Sequence, residues 1–240
     1  MKAIILAGGM GRRLGGDLPK AMQEAGGKPL LRHVLNALDF VAPQDVILVV
    51  GYKKEAITEA FPEYEIAVQA EQLGTGHAAL MAEPLLRDYD GAVMVCYGDM
   101  PLFSRETYAA LAELHTAQGN DCTMLSGIKE NPFGYGRIVR SESGSFAAIV
   151  EEKDCTEKQR AITEINAGVY VFDSRAMFAA IRGLSNDNAQ KEYYLTDAPG
   201  IIAMHSGRVG VLCRELGEEL LGVSTPEDLA AIDELLKLRG

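Results

Sequence analysis

The segment that most constrains the fold of this chain is its beginning, residues 2–20, which reads KAIILAGGMGRRLGGDLPK. Its apolar run, residues 3–7, is bounded by glycines and is too short for an ordinary helix, so it predicts a buried strand. The strand leads into a glycine-rich loop, where a backbone without Cβ atoms can approach an anion closely and point its N–H groups at it. The sequence therefore predicts a phosphate-binding loop at the end of the first strand.

Two cationic side chains accompany this loop. The guanidinium of Arg13 can grip a phosphate with two donors, and the ammonium of Lys20 can act as a mobile point charge. The alternative is a simple flexible turn with two solvated cations, because the glycines form neither a Walker pattern nor a G-x-G-x-x-G. The loop alone does not decide between these interpretations.

Strands and helices alternate in the first half of the chain. Apolar runs at residues 46–50, 66–69 and 92–97 predict further buried strands, and residues 29–40, 53–61 and 104–119 predict helices. A further helix is expected to open within residues 69–77 and to end near Leu86. Such alternation is typical of a parallel sheet with helices on both faces. We therefore predict an α/β fold with a Rossmann-like, doubly wound and mainly parallel sheet.

The second half of the chain does not continue this alternation of strands and helices. Residues 122–128, 137–140 and 146–151 predict shorter strands of a small β-rich insertion, residues 209–213 a further strand, and Pro226 starts an amphipathic helix. We expect one domain, residues 1–240. It comprises a first half (1–120), a second half (121–225) and a C-terminal helix (226–240).

Composition excludes some classes of partner. The formal net charge of −11 argues against a nucleic-acid polymer, which needs a broad basic surface, but not against a single nucleotide. The four cysteines lie far apart without metal-ligand spacing. No apolar run approaches the ~20 residues that span a bilayer. With the phosphate loop at the very start of the chain, no signal peptide is indicated, and we expect a cytoplasmic protein without a membrane partner.

The first loop resembles that of the nucleoside-diphosphate-sugar pyrophosphorylases, which has the form L-A-[AG]-G-x-G-x-R followed by a spacer and P-K. This resemblance implies the nucleotide-diphospho-sugar transferase fold. It also implies that the loop wraps the phosphates of a nucleotide and that two cations bind them through the transition state. The positions that match are Leu6, Ala7, Gly8, Gly9, Arg13 and Lys20.

The string QAEQLGTGHA, starting at Gln69, is similar to one branch of this family, the N-acetylglucosamine-1-phosphate uridylyltransferases. In that branch the first Gln and the Gly-Thr pair contact the uracil, which implies that role for Gln69, Gly74 and Thr75. In a doubly wound sheet this turn faces the same crevice as the first loop. The alternative is a helix start with Thr75 as its cap.

A Mg²⁺ site is expected after the strand at residues 92–97. Asp99 is a carboxylate at the end of a buried strand, where it can hold a hard cation that bridges triphosphate oxygens, although it could also be a turn residue. The family's Y-G-D-x-P-L pattern supports the metal role. Where the family usually has a second ligand, Asn or Asp, this chain has Ser224, whose hydroxyl is a weaker ligand. We expect Asp99 and Ser224 as the metal-binding residues.

Further segments resemble the sugar-binding parts of the family. The resemblance thus implies that residues 1–120 form a nucleotide-binding half and residues 121–225 a sugar-binding half. The side chains of these further segments can hydrogen-bond hydroxyls and an acetamido group, whereas without the resemblance each would be an ordinary turn or surface residue. Glu192, beside them, could equally belong to a solvated helix start. The implied sugar-binding residues are Tyr97, Gly136, Glu151, Asn166, Tyr194 and Thr196.

The resemblance covers the whole chain and implies an enzyme that makes UDP-N-acetylglucosamine and pyrophosphate from UTP and N-acetylglucosamine 1-phosphate, with Mg²⁺ as cofactor. Catalysis would rest on Arg13, Lys20 and Asp99. Rival hypotheses are transfer involving another base or sugar, and a catalytically weak nucleotide-binding sensor. Relatives often continue into a β-helix of hexapeptide repeats, which this sequence lacks. We therefore expect no acetyltransferase activity and no obligate trimer, but a monomer or weak dimer.

Overall fold

The fold is built on one nine-stranded mixed sheet in a computed structural model, which describes residues 1–11, 13–15 and 17–239. A separate two-stranded hairpin follows the first loop. The strands are β1 (Lys2–Leu6), β2 (Glu24–Ala25), β3 (Lys28–Pro29), β4 (Val46–Val50), β5 (Glu65–Val68), β6 (Ala92–Tyr97), β7 (Cys122–Ile128), β8 (Arg137–Arg140), β9 (Phe146–Val150), β10 (Glu164–Asp173) and β11 (Val209–Arg214).

Helices connect most of these strands. They are α1 (Leu30–Ala37), α2 (Lys54–Ala60), α3 (Thr75–Leu80), α4 (Arg105–Gln118), α5 (Glu157–Arg160), α6 (Ser174–Arg182), α7 (Ala198–Met204) and α8 (Pro226–Arg239). Short 3₁₀ turns stand between several of them, at Lys20–Met22, Pro43–Asp45, Glu83–Leu86, Glu152–Asp154, Leu195–Asp197 and Gly217–Leu220.

The strand order is β11-β7-β10-β6-β1-β4-β5, with β8 and β9 joined to β10. The strands β6, β1, β4 and β5 run parallel, so their carboxyl ends lie at one edge of the sheet. Successive residues of β1 face opposite sides: Ala3 and Ile5 pack in one core cluster, Ile4 and Leu6 in the other. Helices α1 and α4 cover the first side, and α3, α6 and α7 cover the second. The predicted α/β architecture with helices on both faces is therefore confirmed.

The longest strand, β10, was not predicted. It runs antiparallel between β6 and β7 at the centre of the sheet, and its pairing with β7 shifts register between Asn166 and Tyr170. Gly168 lies within this irregularity with φ of 76°, and a Cβ there would come within 2.8 Å of the Tyr97 ring. The bulge thus gives the aromatic side chain room at the end of β6.

The helix predicted to continue to Leu86 is shorter than expected. Helix α3 ends at Leu80, and a 3₁₀ turn with Pro84 in its first positions covers the remainder. Proline lacks the N–H that would continue the α-helical ladder, which explains the change of geometry. Within the described ranges, no helix is both long and apolar enough to cross a membrane.

Side chains cap the starts of two helices, Ser104 at α4 and Thr225 at α8. The Ser104 hydroxyl accepts a hydrogen bond from the backbone of Thr107 and donates one to Glu219. Thr225 accepts from the backbone of Asp228, whose carboxylate accepts from the Thr225 N–H in return. This reciprocal pair is a capping box at the start of α8.

The cap at Ser104 yields a stability prediction. Ser104→Ala removes the acceptor of an orphan helix N–H and the donor to Glu219, so we expect the free energy of unfolding in urea to fall by about 1–2 kcal/mol. The control is Thr116→Ala, in the last turn of the same helix, where the exposed hydroxyl donates only to the Ala112 carbonyl. That change should cost less than about 0.5 kcal/mol. Equal losses in the two variants would contradict the capping role.

Candidate active site

A cavity of about 570 Å³ opens at the carboxyl edge of the parallel strands. Three chain segments meet there: the loop after β1, the turn after β5 and the end of β6. Ten of the predicted site residues line it: Leu6, Ala7, Gly8, Gly9, Lys20, Gln69, Gly74, Thr75, Tyr97 and Asp99. Gly11, a glycine of the predicted phosphate loop, also lines the cavity, as do residues that sequence reasoning did not assign: Met10, Ala21, Gln72, Ala78 and Glu192.

The first loop is folded back on itself beside the cavity. The backbone N–H of Lys20 donates to the Gly9 carbonyl at 3.1 Å, and Leu14 closes a turn onto the Gly11 carbonyl at 2.9 Å. Gly11 has φ of 62°, a conformation that favours glycine, and a Cβ there would be 3.2 Å from Lys20 Cβ. The glycine therefore allows the return of the chain that brings Lys20 to the cavity.

Lys20 and Asp99 form an ion pair at the cavity wall. Both side chains are about four-fifths buried, with 22% and 21% of their surface exposed. Asp99 follows β6 directly, and its backbone carbonyl accepts a hydrogen bond from Val223 at 3.1 Å. This contact brings the chain beside Ser224, the other predicted metal ligand, to the end of β6. The cation and the carboxylate predicted from the two sequence patterns thus meet at one point.

Ser224 itself is held by the start of α8. Its backbone N–H donates to the carboxylate of Asp228 at 2.9 Å, and its hydroxyl does not line the cavity. In the described part of the chain, no three His, Cys, Asp or Glu side chains gather as a ready-made metal centre. A metal here would therefore depend on a carboxylate together with ligand and water oxygens.

Arg13 differs from the expectation of a phosphate-binding residue. Its side chain is exposed, and it is not among the residues that line the cavity. Among the described residues, Lys20 is the cation that lines the cavity, and Arg13 does not line it.

The turn after β5 forms the opposite wall. Gln69 is 95% buried, and its side-chain nitrogen Nε2 donates to the Gly74 carbonyl at 3.0 Å and contacts Nδ1 of His77 at 3.1 Å. Gln72, an exposed residue that sequence reasoning missed, donates from Nε2 to the Gly8 carbonyl at 2.6 Å. Because these residues lie 64 positions apart, no local pattern could indicate the contact. The two glutamines thus tie the turn to itself and to the first loop.

The alternative of Thr75 as a helix cap is wrong. Gly74, with φ of 111°, is the cap residue of α3, and Thr75 is the first helical residue. The Thr75 hydroxyl instead accepts from the backbone N–H of Leu195 at 3.0 Å. A Cβ on Gly74 would come within 2.6 Å of the Tyr193 carbonyl, so only glycine allows this segment to pack so closely.

Glu192, which could have belonged to a helix start, lies in a bend and lines the cavity. Its backbone carbonyl accepts from the side chain of Asn188, and its backbone N–H donates to the same side chain. The neighbouring Tyr193 donates its N–H to the Leu73 carbonyl at 2.8 Å. These contacts hold the carboxylate at the cavity rim, against the turn after β5.

The remaining predicted sugar-binding residues form a second cluster behind Tyr97. Thr196 donates to the Glu151 carboxylate at 2.9 Å, and a Cβ on Gly136 would lie 3.5 Å from Glu151 and 3.6 Å from Asn166. Asn166 donates to the Tyr170 hydroxyl and accepts from the Gly168 N–H. This second cluster does not line the main cavity. It contacts the cavity residue Tyr97 through the bulge at Gly168.

Tyr194 lies near the second cluster: burial raises the pKa of its hydroxyl, and the charge of Glu151 adds to this effect. Its hydroxyl is buried and has no hydrogen-bond partner among the described residues. A buried hydroxyl without a partner costs free energy, and a polar ligand group placed there would recover it. This orphaned group is consistent with a site that is completed by a polar ligand.

Burial sets the protonation of the second cluster. It raises the pKa of the Glu151 carboxyl, against the opposing hydrogen bond from Thr196, and nearby Asp197 and Asp154 raise it further. Burial also raises the pKa of Tyr97, and the charge of Glu151 adds to this effect. The tyrosine hydroxyl therefore stays protonated and can donate a hydrogen bond between the two clusters.

The Glu151 pKa gives a pH-dependent prediction. Because the pKa is higher in the folded chain than its ordinary 4.5, folding takes up protons and stability falls as pH rises through the folded-state value. Glu151→Gln removes this penalty. The free energy of unfolding of the variant minus that of wild type should therefore increase between about pH 4 and pH 7, as urea denaturation at each pH measures.

The control for this measurement is Glu142→Gln, in the exposed turn between β8 and β9. Its side chain is exposed in the folded chain, so this variant reports the effect of a Glu-to-Gln change at the surface. A pH-dependent difference for Glu151→Gln no larger than that for Glu142→Gln would contradict the buried environment assigned to the Glu151 carboxyl.

Taken together, the doubly wound sheet and the glycine loop with its Lys–Asp pair define a nucleotide-binding α/β domain, with its cavity at the carboxyl edge of the strands. A family model described as the MobA-like NTP transferase domain matches residues 3–198. The chain therefore belongs to this family of nucleotidyltransferases, and the class of enzyme expected from the sequence is confirmed.

Similar proteins include two called bifunctional protein GlmU. The chain is 42% identical over 238 residues to that of Caldanaerobacter subterraneus subsp. tengcongensis and 40% identical over 238 residues to that of Streptococcus suis (strain 98HAH33). Each alignment covers 99% of this chain but 52% of the relative. The chain thus spans about half the length of these relatives.

A solved structure supports the fold. HddC from Yersinia pseudotuberculosis, complexed with GMP-PN, matches with a TM-score of 0.71 at 21% sequence identity. The match covers 98% of this chain and 99% of that one. At this identity the likeness concerns the fold alone.

Proposed function

We propose that the chain is an N-acetylglucosamine-1-phosphate uridylyltransferase, which makes UDP-N-acetylglucosamine and pyrophosphate from UTP and the sugar 1-phosphate. One observation carries the proposal: a single cavity is lined both by the Gln69–Gly74–Thr75 turn and by the Lys20–Asp99 pair. The first set suits a nucleobase and the second suits phosphates. The similarity to proteins named GlmU supports the choice of base and sugar.

The reaction needs alignment of its two substrates more than it needs acid–base chemistry. A phosphate monoester has its second pKa near ~6, so the sugar phosphate is already ionised at neutral pH and needs no general base. Its oxygen forms a bond to the α-phosphorus of the nucleotide while the bond to the bridging oxygen breaks, and pyrophosphate leaves with the electron pair. The protein has to hold two anions together and stabilise the charge that develops.

The cavity wall provides groups for this task. Lys20 would bind phosphate oxygens through its ammonium, and the backbone of Gly8, Gly9 and Gly11 can approach them without a side chain in the way. Arg13, exposed in this structure, would need to swing inward to contribute.

The donor set fits a magnesium ion. Asp99 offers hard carboxylate oxygens at the cavity wall, and Mg²⁺ is usually held by one or two carboxylates together with substrate phosphates and water. Ser224 is the proposed second, weaker ligand. When bound, Mg²⁺ would neutralise phosphate charge at the reacting centre. Lys20, paired with Asp99 in this structure, would then turn its ammonium to the phosphates.

The sugar would lie on the Tyr97 side of the cavity. The second cluster supplies hydrogen-bonding groups suited to hydroxyls and an acetamido group, and its carboxyl and hydroxyl groups are already oriented by one another. The proposed sugar-binding residues are Tyr97, Gly136, Glu151, Asn166, Tyr194 and Thr196.

A substrate scan tests the proposal. Pyrophosphate release with Mg²⁺ is measured for UTP, dTTP, CTP and GTP against the 1-phosphates of N-acetylglucosamine, glucose and galactosamine. We expect selective turnover of UTP with N-acetylglucosamine 1-phosphate. Turnover of another pair would keep the reaction type and overturn the specificity, whereas binding of UTP without any turnover would favour a nucleotide sensor.

Lys20→Met tests the phosphate role. Removing the positioned charge should lower kcat by about 10²–10³-fold, because a preorganised group at a developing charge contributes on that order. The control is Lys28→Met, an exposed lysine of the hairpin, which should keep wild-type kcat. Near-normal kcat in the Lys20 variant would remove this lysine from the catalytic machinery.

A further inference from the structure

The contact between Gln69 and His77 fixes which way the glutamine amide points. The Gly74 carbonyl can only accept a hydrogen bond, so the group that lies 3.0 Å from it must be the amide nitrogen. The same nitrogen lies 3.1 Å from Nδ1 of His77. Because an amide nitrogen cannot accept, Nδ1 must be the acceptor, and the imidazole carries its proton on Nε2.

Both N–H bonds of this amide are therefore used within the protein. The other end of the group, Oε1, lies beside Gly8, where a Cβ would stand 3.3 Å from it. Both Gln69 and Gly8 line the cavity. Among the described residues no donor is bonded to Oε1, and this oxygen is not fully enclosed. What Gln69 offers to a ligand is thus an acceptor and no donor.

An acceptor at this position distinguishes between the pyrimidine bases. The N3 atom of uracil carries a hydrogen and can donate to Oε1, whereas N3 of cytosine has no hydrogen and would place two acceptors against each other. A buried polar group left without its partner is the basis of strong discrimination in binding sites. Reversal of the amide would exchange these preferences.

We propose that His77 is a positioning residue for base selection, whose Nδ1 holds the Gln69 amide so that Oε1 selects a base with an N3–H. The proposal rests on the proposed function, in which this wall of the cavity binds the base. His77 does not line the cavity, so it acts through Gln69. The Gly74 carbonyl opposes reversal on its own, and His77 provides the second restraint.

The test compares kcat/KM for UTP and CTP, with N-acetylglucosamine 1-phosphate as the common substrate. His77→Phe keeps a ring but has no acceptor, and we expect the UTP-to-CTP ratio to fall by about five- to tenfold, the order that one neutral hydrogen bond contributes. His77→Asn, whose Oδ1 can replace Nδ1, should retain most of the wild-type ratio. If the phenylalanine variant does not fold, His77→Ala removes the same acceptor.

A purely structural role would behave differently. It would lower turnover of both nucleotides together and leave their ratio unchanged, which would overturn the proposal. The matched control is His205→Phe, an exposed histidine at the end of α7 whose Nδ1 lies 2.9 Å from the Ile201 carbonyl. This variant should keep the wild-type kcat/KM for UTP and for CTP.

Binding measurements separate this proposal from the proposed function. Calorimetric titration of UTP and CTP without the sugar phosphate gives the ratio of their dissociation constants. This ratio reports the base preference even if no pair of substrates turns over. A wild-type chain with no preference for UTP over CTP would overturn both proposals. A wild-type preference that persists in His77→Phe and His77→Ala would overturn the role of His77 alone.

Discussion

The alignment of four parallel strands is the constraint on which the rest of this structure depends. The strands β5, β4, β1 and β6 run in one direction. The cavity-lining segments that follow β1, β5 and β6 therefore leave the sheet at the same edge. The approach there is close: a Cβ on Gly51, after β4, would be 3.0 Å from the Gly8 carbonyl. Small residues at the strand ends therefore decide how near the first loop and the turn after β5 can come.

Charge is the second constraint on this cavity. A nucleoside triphosphate and a sugar phosphate are both anions, yet the chain carries a net charge of −11 and the cavity wall includes Asp99 and Glu192 beside Lys20. The one ammonium that lines the cavity among the described residues, paired with a carboxylate, cannot balance such ligands. Backbone N–H groups of the glycine loop and a divalent cation on Asp99 would have to supply the remainder. This need explains why the loop lacks side chains where the phosphates would lie.

The local parts of this arrangement could be predicted from the sequence. Strand β1, its loop, the turn at Gln69 and the placement of Asp99 followed from apolar runs, glycines and strand ends, since those patterns are set by neighbouring residues. Strand β10 was missed although its stretch from Val169 to Phe172 is apolar and rich in residues that favour strands. The segment around Asn166 was interpreted as part of a sugar-binding site and not as a strand. Antiparallel pairing in the middle of a sheet also has no local sequence pattern that predicts it.

Contacts over long separations were also beyond sequence reasoning. Gln72 and Gly8 are 64 residues apart, and the Gln69–His77 contact depends on the bend at Gly74. The composition of the loop likewise did not indicate that Arg13 would be exposed and would not line the cavity. By contrast, the proximity of Lys20 and Asp99 could be predicted. Lys20 ends the loop that follows β1 and Asp99 follows β6, and the carboxyl ends of these parallel strands lie at one edge of the sheet.

Tyr97 stands between the main cavity and the second cluster, where the two halves of the proposed site would have to cooperate. It lines the main cavity, touches the bulge at Gly168 and lies close enough to Glu151 for that charge to raise its pKa. A sugar bound by the second cluster would have to present its phosphate past this side chain to reach a nucleotide bound by the first. An ionised residue at the junction would repel one anion or the other. A buried tyrosine that remains protonated avoids this repulsion and still offers a hydrogen-bond donor, which is the chemistry that such a junction requires.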